Sequence, residues 1–171
     1  MSASFDAIAP ADLARSEITP LGQTEAEEVG AWSYPGIYAF YDYAVDPDDL
    51  AEILDPDRRA GLYFGVRLEG HGLIGFVQTW PVGEDGSVEI GLGLRPECTG
   101  RGLGVAFITL LCDWLIERVR LRPMVITLRV ATFNTRAITV YERVGFRATD
   151  TEQFTRKGAT IQFLRMRRSV Q

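Results

Sequence analysis

Lysine and histidine are scarce in this chain of 171 residues, which contains one of each. The lysine, Lys157, stands between Arg156 and Gly158 and not in a Gly-Lys-Ser/Thr motif, which excludes a Walker-type nucleoside triphosphate site. It lies in a polar, turn-like stretch, which also disfavours Schiff-base catalysis. The histidine, His71, is flanked by glycines at an expected hairpin tip, a position that argues against a serine hydrolase triad.

Cysteine is rare as well, and long apolar runs are missing. Cys98 and Cys112 are not spaced like the ligands of a structural metal, so we expect no metal and a reducing, cytoplasmic environment. The chain begins with Asp6 and Asp12 ahead of its first basic residue, Arg15, unlike a signal peptide. No apolar run approaches the ~18 residues that cross a bilayer. These absences predict a soluble protein without a membrane partner.

Charge is distributed unevenly along the chain, whose net charge is −5. Residues 1–60 contain thirteen acidic side chains and three arginines, whereas residues 61–171 contain ten acidic and fifteen basic side chains. An acidic first part suits a cationic amine and a basic remainder suits a phosphate-bearing ligand, although an unevenly charged solvated surface is the simpler explanation. The acidic balance and the lack of a continuous basic patch argue against a nucleic-acid partner.

The hydropathy pattern predicts a mixed α/β chain of the α+β type in one domain over residues 1–171. Glycine-rich turns between the three strands from 62 to 94 indicate antiparallel neighbours. An aromatic segment, residues 32–43, is broken by Pro35-Gly36 and is expected to be rich in turns. The expected helices cover residues 24–32, 47–54, 102–119 and 135–144, the long one ending at Pro123, and the expected strands cover residues 13–18, 62–68, 73–80, 88–94, 125–131, 146–154 and 159–166.

A glycine-rich junction joins the strand at 88–94 to the long helix, with Gly100, Gly102 and Gly104 at alternate positions. Glycines leave backbone N–H groups unshielded at a helix start, where the helix dipole favours an anion, and Arg95 and Arg101 add positive charge. The junction therefore predicts a pyrophosphate site. A dinucleotide fingerprint fails on spacing and on the antiparallel context. A turn that binds nothing is disfavoured, because three glycines cost conformational entropy without adding packing.

Two blocks of this sequence resemble the GNAT superfamily of acyl-CoA-dependent N-acyltransferases, and the resemblance covers residues 62–146. The family pattern Arg/Gln-x-x-Gly-x-Gly/Ala is matched by Thr99-Gly100-Arg101-Gly102-Leu103-Gly104, with Thr99 in the place of the usual Arg or Gln. The second block is Asn134 with Tyr141-Glu142-Arg143-Val144-Gly145-Phe146. The resemblance implies a GNAT-like domain with a largely antiparallel, splayed sheet flanked by helices. It also implies transfer of an acetyl group from acetyl-CoA, the co-substrate, to a primary amine by direct attack in a ternary complex.

The resemblance also implies roles for single residues. Glu89 is placed as the base that deprotonates the amine, directly or through water, with a structural carboxylate as an equal alternative. Tyr141 is placed beside the leaving thiolate, with a core aromatic as the alternative. Asn134 contacts the pantetheine arm or caps its helix. The residues expected to bind acetyl-CoA, including a backbone N–H for the oxyanion, are Leu92, Gly93, Leu94, Arg95, Thr99, Gly100, Arg101, Gly102, Leu103, Gly104, Asn134 and Ala137.

The amine acceptor is the least determined part. In the family the first helices and their loop help to form the acceptor cleft, which here points to Tyr34, Tyr38, Tyr41 and Asp42, with Trp80 at the border. Aromatic rings beside carboxylates hold an ammonium group well, although a hydrophobic plug is an equal alternative. A small metabolite, a polyamine, a drug and a protein or peptide amine all stay open, as does a homodimer. A different class of function is a non-catalytic acyl-CoA sensor.

Overall fold

The computed structural model describes residues 4–80, 83–84, 86–119, 124–156 and 159–170. It has a seven-stranded sheet of order β1-β2-β3-β4-β5-β7-β6, mixed because β4 and β5 are parallel, and it confirms the expected α+β class. Among the described helices, none combines the length and apolar character that a membrane crossing requires. The strands are β1 Glu17–Pro20, β2 Tyr63–Leu68, β3 Gly72–Thr79, β4 Ser87–Leu94, β5 Met124–Ala131, β6 Arg147–Arg156 and β7 Ala159–Val170. The α-helices are α1 Gln23–Gly30, α2 Pro47–Leu54, α3 Pro56–Arg59, α4 Gly104–Val119 and α5 Thr135–Arg143.

The contacts of the chain divide it into two compact units. The first unit comprises Met1–Gln78 and Leu92–Leu103, and the second comprises Thr79–Gly91 and Gly104–Gln171. Strand β4 therefore begins in the second unit and ends in the first. The prediction of one domain over the whole chain stays a prediction.

The first unit is built on β1, β2 and β3, which pair in antiparallel fashion with Ile18 opposite Val66 and Gly65 opposite Phe76. Helices α1 and α2 contribute apolar side chains to the same core. Burial of these side chains is the main favourable contribution to folding of this unit. The buried core residues are Leu21, Ala26, Val29, Trp32, Ile53, Tyr63, Leu73 and Phe76.

Local hydrogen bonds determine where the helices of the first unit begin. The N–H of Gly22 donates to Oε2 of Glu25 at 3.0 Å, which satisfies one backbone donor at the start of α1. Asp46 caps α2, because its Oδ1 accepts from the N–H groups of Asp48 at 2.8 Å and Asp49 at 3.2 Å. Acidic residues at these positions also complement the helix dipole. Part of the negative charge of residues 1–60 is thus used to start helices.

A buried arginine connects several segments of the first unit through hydrogen bonds. Arg59, at the end of α3, is 5% exposed. Its Nη1 donates to the carbonyl of Ile53 at 2.6 Å, its Nε to the carbonyl of Leu21 at 3.1 Å, and its Nη2 to Oε1 of Gln23 at 3.0 Å. Burying a guanidinium is costly unless its donors are satisfied. Arg59 therefore fixes the end of α2 against the start of α1.

The second unit contains the long helix α4, α5 and the closing strands. Ser87, Val88 and Glu89 of β4 pair in parallel with β5, and β5 pairs with β7 along its full length in antiparallel fashion. Strand β6 pairs with β7 on the other side. The buried residues of α4 recur at helical spacing and are Phe107, Ile108, Leu111, Cys112 and Leu115.

One expected element is wrong. Residues 13–18 were expected to form a strand, but Pro10–Arg15 is a 3-10 helix and β1 begins only at Glu17. The cause is local: proline favours the first helical position, and the Ala9 N–H donates to Oδ2 of Asp12 at 2.9 Å. Side-chain bonds of this kind compete with strand formation.

The other expected elements are confirmed with small shifts at their ends. Helix α4 begins at Gly104, two residues later than expected. Strand β7 continues to Val170. His71 lies in the β2–β3 turn, with Nδ1 3.1 Å from the carbonyl of Glu69. Pro123 and Lys157, on which two interpretations depended, lie outside the described residues.

Candidate active site

The turn before α4 has the backbone geometry that its glycines predict. Gly100 has a φ of 73° and Gly102 a φ of 75°, in the left-handed region where other residues are strained. A Cβ added at Gly102 would meet no atom within 4 Å. The first N–H groups of α4, which begins at Gly104, have no partner within the helix. The glycine turn, Thr99–Leu103, thus combines open space with the donors of a helix start.

Gly104 has a different role from the other two glycines. A Cβ at this position would lie 3.0 Å from Cγ2 of Val140 on α5, which is tighter than most real contacts. Gly104 therefore permits the start of α4 to approach α5 closely. The expectation that the three glycines add no packing is wrong for Gly104, and it holds for Gly102.

Thr99 and Arg101 have partners within the first unit. The Thr99 hydroxyl donates to the carbonyl of Pro96 at 2.8 Å, so this side chain stabilises the turn itself. Arg101 forms an ion pair with Asp6 on the 3-10 helix Phe5–Ala7, where the two side chains are 36% and 76% exposed. Exposed pairs of this kind contribute little to stability and exchange readily with other ions.

Arg95 is a structural anchor. Its Nη1 pairs with Glu28 and donates to the carbonyl of Leu73 at 2.9 Å, and its Nε lies 3.2 Å from Oε2 of Glu97. The guanidinium carbon lies 4.5 Å from the centroid of the Phe5 ring. The side chain is only 17% exposed. Two carboxylates thus share the charge of Arg95, and its expected role beside the glycine turn stays a prediction.

The end of β4 packs tightly on β3. The N–H of Arg95 donates to the carbonyl of Ile74 at 2.8 Å. A Cβ on Gly93 would come to 3.0 Å from Cζ of Phe76 and closer still to Cε1, so only glycine fits at this position without movement of the ring. The Phe76 ring is therefore the structural reason for a glycine at position 93.

Tyr34 and Asp42 of the aromatic segment form hydrogen bonds within the first unit. The Tyr34 hydroxyl donates to the carbonyl of Leu94 at 2.9 Å, and the Tyr34 N–H donates to Oδ1 of Asp42 at 2.9 Å. The Ser33 hydroxyl donates to Oδ2 of Asp42 at 3.0 Å. Burial raises the pKa of Tyr34, so its hydroxyl keeps its proton. Both side chains are thus hydrogen-bonded within the first unit, and their expected role in binding an ammonium group stays a prediction.

The remaining acceptor candidates are Tyr38, Tyr41 and Trp80. Tyr38 and Tyr41 are half-buried on the 3-10 helix Gly36–Tyr41. Trp80 follows β3 in the second unit and is 37% exposed. The backbone N–H of Trp80 donates to the carbonyl of Glu89 at 3.0 Å.

A polar cluster that the sequence did not indicate lies between α2 and the first strands. Oε1 of Glu52 accepts from the hydroxyl of Tyr63 at 2.7 Å and from Nε2 of Gln78 at 2.9 Å. Burial raises the pKa values of Tyr63 and Tyr43, whose hydroxyl interacts with that of Tyr63. Burial, followed by the nearby carboxylate of Glu52, raises the pKa of Asp49. In the sequence, the signal that could have indicated this cluster is the three-residue spacing of Asp49 and Glu52, which places both acids on one face of α2.

Glu89 lies in the second unit with its carboxylate bound to an arginine. Its Oε1 accepts from Nε of Arg129 at 2.7 Å and lies 2.6 Å from Nη2, and 26% of the side chain is exposed. The arginine stands on β5, the parallel neighbour of β4, and its guanidinium carbon is 5.5 Å from the centroid of the Phe154 ring. This arrangement fixes the position of the carboxylate, and it fits both a base and a structural ion pair.

Helix α5 carries the second block of the family pattern. Oδ1 of Asn134 accepts from the N–H of Ala137 at 3.1 Å, which confirms that Asn134 caps the helix. Tyr141 is 8% exposed and packs edge to face on Phe146, with ring centroids 5.9 Å apart. Both residues are therefore held in defined positions by the helix itself.

Other catalytic groups are poorly supported in the described part of the chain. Both cysteines are buried and free of disulfides, and burial raises the pKa of Cys98 to about 11. A thiol of this kind is a weak nucleophile at neutral pH. Residues 4–80, 83–84, 86–119, 124–156 and 159–170 contain no group of three His, Cys, Asp or Glu side chains that could hold a metal ion.

Comparison with known proteins agrees with this geometry. The family model for the acetyltransferase (GNAT) family matches residues 25–146. No curated relative matches the sequence. An acetyltransferase of the GNAT family from Bacillus anthracis is 16% identical with a TM-score of 0.72, covering 91% of this chain and 95% of that one. A spermidine N-acetyltransferase from Vibrio cholerae, solved with CoA and spermine, is 22% identical with a TM-score of 0.73, covering 91% and 96%. At these identities, the solved structures establish the fold.

Proposed function

The chain belongs to the acetyltransferase (GNAT) family and is an acyltransferase, and on that premise we propose that it transfers the acetyl group of acetyl-CoA to a small primary amine. The observation that carries the proposal is the glycine turn. Gly100 and Gly102 adopt the left-handed conformation directly before a 16-residue helix, and the Cβ position of Gly102 is open. A backbone of this form suits a pyrophosphate.

Acetyl-CoA supplies an activated acetyl group, and backbone groups of the chain bind and orient the acetyl-CoA. We assign the pyrophosphate to the N–H groups of the glycine turn. The backbone of Leu92–Leu94 is assigned to the pantetheine arm and to the charge that develops on the thioester oxygen. Among the described residues, the parallel pairing of β4 with β5 involves Ser87 to Glu89, the first residues of the strand, which supports a ligand role for the residues that follow.

Glu89 is assigned as the base that removes a proton from the ammonium group, directly or through one water. Most amines are protonated at neutral pH, so a base is needed before the nitrogen can attack. The bonds from Arg129 to one carboxylate oxygen hold Glu89 in place. Arg129 is a positioning residue in this proposal.

Tyr141 is assigned to the departing thiolate, to which its hydroxyl donates a hydrogen bond or a proton. Its burial on α5 and its packing on Phe146 support a fixed orientation. Replacement by phenylalanine keeps that packing and removes the hydroxyl. We expect turnover of Tyr141→Phe to fall roughly 10- to 100-fold with CoA affinity unchanged. Equal turnover would assign the thiolate to water or to another group.

A cationic acceptor is supported by the acidic balance of residues 1–60 and by the Asp49–Glu52 pair of α2. The Vibrio cholerae relative was solved with spermine, a polyamine, and the present chain shares its fold. We therefore propose a small amine, with a polyamine as the first class to test. Two free, buried cysteines are compatible with the proposed cytoplasmic location. Neither a nucleic acid nor a membrane is needed in this proposal.

The test is release of free thiol from acetyl-CoA across a panel of polyamines, amino acids, aminoglycosides and peptides with free N-termini, with calorimetric titration of CoA in parallel. We expect thiol release that depends on one class of amine. Tight CoA binding without release on any amine would favour the alternative, a sensor that binds the acyl donor without turnover. A chain that does not bind CoA would contradict both.

A further inference from the structure

Tyr34 joins the aromatic segment to the end of β4 within the first unit. Its hydroxyl donates to the carbonyl of Leu94 at 2.9 Å, sixty residues away in sequence. Its own N–H is held by Asp42, which also accepts from the Ser33 hydroxyl. The side chain is therefore fixed at both ends, by the loop that carries it and by the strand that it contacts.

The strand end that Tyr34 contacts is the part of β4 assigned above to the acyl donor. On its other side this end is held by β3, through the bond from the Arg95 N–H to Ile74 and through the fit of Gly93 under Phe76. The Leu94 carbonyl and the Arg95 N–H belong to one planar peptide unit, so the bond from Tyr34 and the bond to Ile74 hold this peptide from opposite sides. The bond from Tyr34 thus controls the orientation of backbone groups at this position.

Burial raises the pKa of Tyr34, so the hydroxyl remains a donor over the working range of pH. Its removal would leave a partly buried carbonyl without this donor, and such unsatisfied groups are costly. The strand end is then free to tilt toward another partner. A phenylalanine at this position keeps the ring and its packing, so the loss is confined to one hydrogen bond.

We propose that Tyr34 is a positioning residue for the acyl donor and not a ligand of the amine: it holds the end of β4 through Leu94. The inference rests on the proposed function, since it concerns the same site. In the interpretation of the sequence, Tyr34 contacts the ammonium group, so its loss would raise the KM for the amine. The present proposal expects the KM for acetyl-CoA to rise instead.

The experiment compares Tyr34→Phe with Tyr43→Phe, a matched loss of a buried hydroxyl whose partner is Tyr63 and not β4. For Tyr34→Phe we expect the KM for acetyl-CoA and the Kd for CoA to rise about 3- to 10-fold, as for the loss of one hydrogen bond. The KM for the amine stays within twofold of wild type. A rise confined to the amine KM, or no change in either constant, would overturn the proposal.

A second readout needs no ligand. Hydrogen–deuterium exchange of the peptide that contains residues 92–95 is expected to be faster in Tyr34→Phe than in wild type or Tyr43→Phe. Unchanged exchange there would refute the positioning role even if a Michaelis constant moved. If Tyr34→Phe exchanges faster but the wild type binds no CoA, the contact between Tyr34 and β4 is supported and only the proposed function is contradicted. The failure of this inference can thus be distinguished from the failure of the proposed function.

Discussion

The glycine turn and the aromatic segment were both interpreted from the sequence as ligand sites, and they differ in the groups that would contact the ligand. In the glycine turn the expected role belongs to the backbone, and Gly100 and Gly102 have the expected conformation. In the aromatic segment the expected role belongs to side chains, and the polar groups of Tyr34 and Asp42 form hydrogen bonds with other groups of the protein. Glycine patterns encode backbone geometry directly, whereas the partner of a polar side chain depends on the whole fold.

The largest effect is expected from Gly102→Glu, which places bulk and negative charge in the open space of the glycine turn. We expect CoA affinity to fall at least about 100-fold and turnover to be lost. The control is Gly102→Ala, which carries the same left-handed strain of about 1 kcal/mol without the charge. Calorimetric titration of CoA measures both variants. Equal losses in the two would assign the effect to strain and remove the turn as the anion site.

Glu89→Gln extends the comparison to a side chain of the second unit whose carboxylate is bound to Arg129. Glutamine retains an oxygen for the arginine but accepts no proton from the amine. We expect kcat to fall about 100-fold or more near neutral pH, with CoA affinity unchanged. Wild-type turnover in this variant would show that the Glu89–Arg129 ion pair has a structural role only.

Asp42 permits a test of charge against hydrogen bonding in the aromatic segment. Asp42→Asn keeps an acceptor for the Tyr34 N–H and places an amide beside the Ser33 hydroxyl, whereas Asp42→Ala removes both bonds. If Asp42 only orders the segment, we expect the asparagine variant to have wild-type constants and the alanine variant to show a roughly 3- to 10-fold higher KM for acetyl-CoA. A large rise of the amine KM in Asp42→Asn would instead restore the ammonium role.

The smallest effect is expected at Cys98, which lies one residue before the glycine turn. Burial raises the pKa of its thiol to about 11, so the reactive thiolate is rare in the folded state at pH 8. In a Cys112→Ala background, we expect slow alkylation of the native protein at pH 8, faster alkylation as the pH approaches 11, and no change of turnover. Mass spectrometry follows the label. Rapid labelling at pH 8 with loss of CoA binding would show that the Cys98 side chain is accessible and contributes to CoA binding.

Most of the fold was predictable because helices and strands have local patterns. The apolar spacing indicated α4, and a helix was expected at 47–54, where α2 lies. The strand expected at 13–18 was wrong because hydrogen bonds of Asp12 favour a 3-10 helix, a preference that hydropathy does not reveal.

The long-range contacts of the site were not predictable by the same reasoning. Arg59 binds Leu21, 38 residues away, and Tyr34 binds Leu94, 60 residues away. The pair between Arg95 and Glu28 joins residues 67 positions apart. Nothing local in the sequence connects these residues, whereas the cap formed by Asn134 was predictable because its partner is only three residues distant.

The central claim is that the glycine turn binds the pyrophosphate of the acyl donor through its backbone. Its most direct test is a calorimetric comparison of acetyl-CoA with S-acetylpantetheine, which carries the thioester but lacks the pyrophosphate and nucleotide. The account predicts that acetyl-CoA binds once per chain and that S-acetylpantetheine binds at least about 100-fold more weakly. Equal affinity for the two compounds, or no binding of acetyl-CoA, would contradict it.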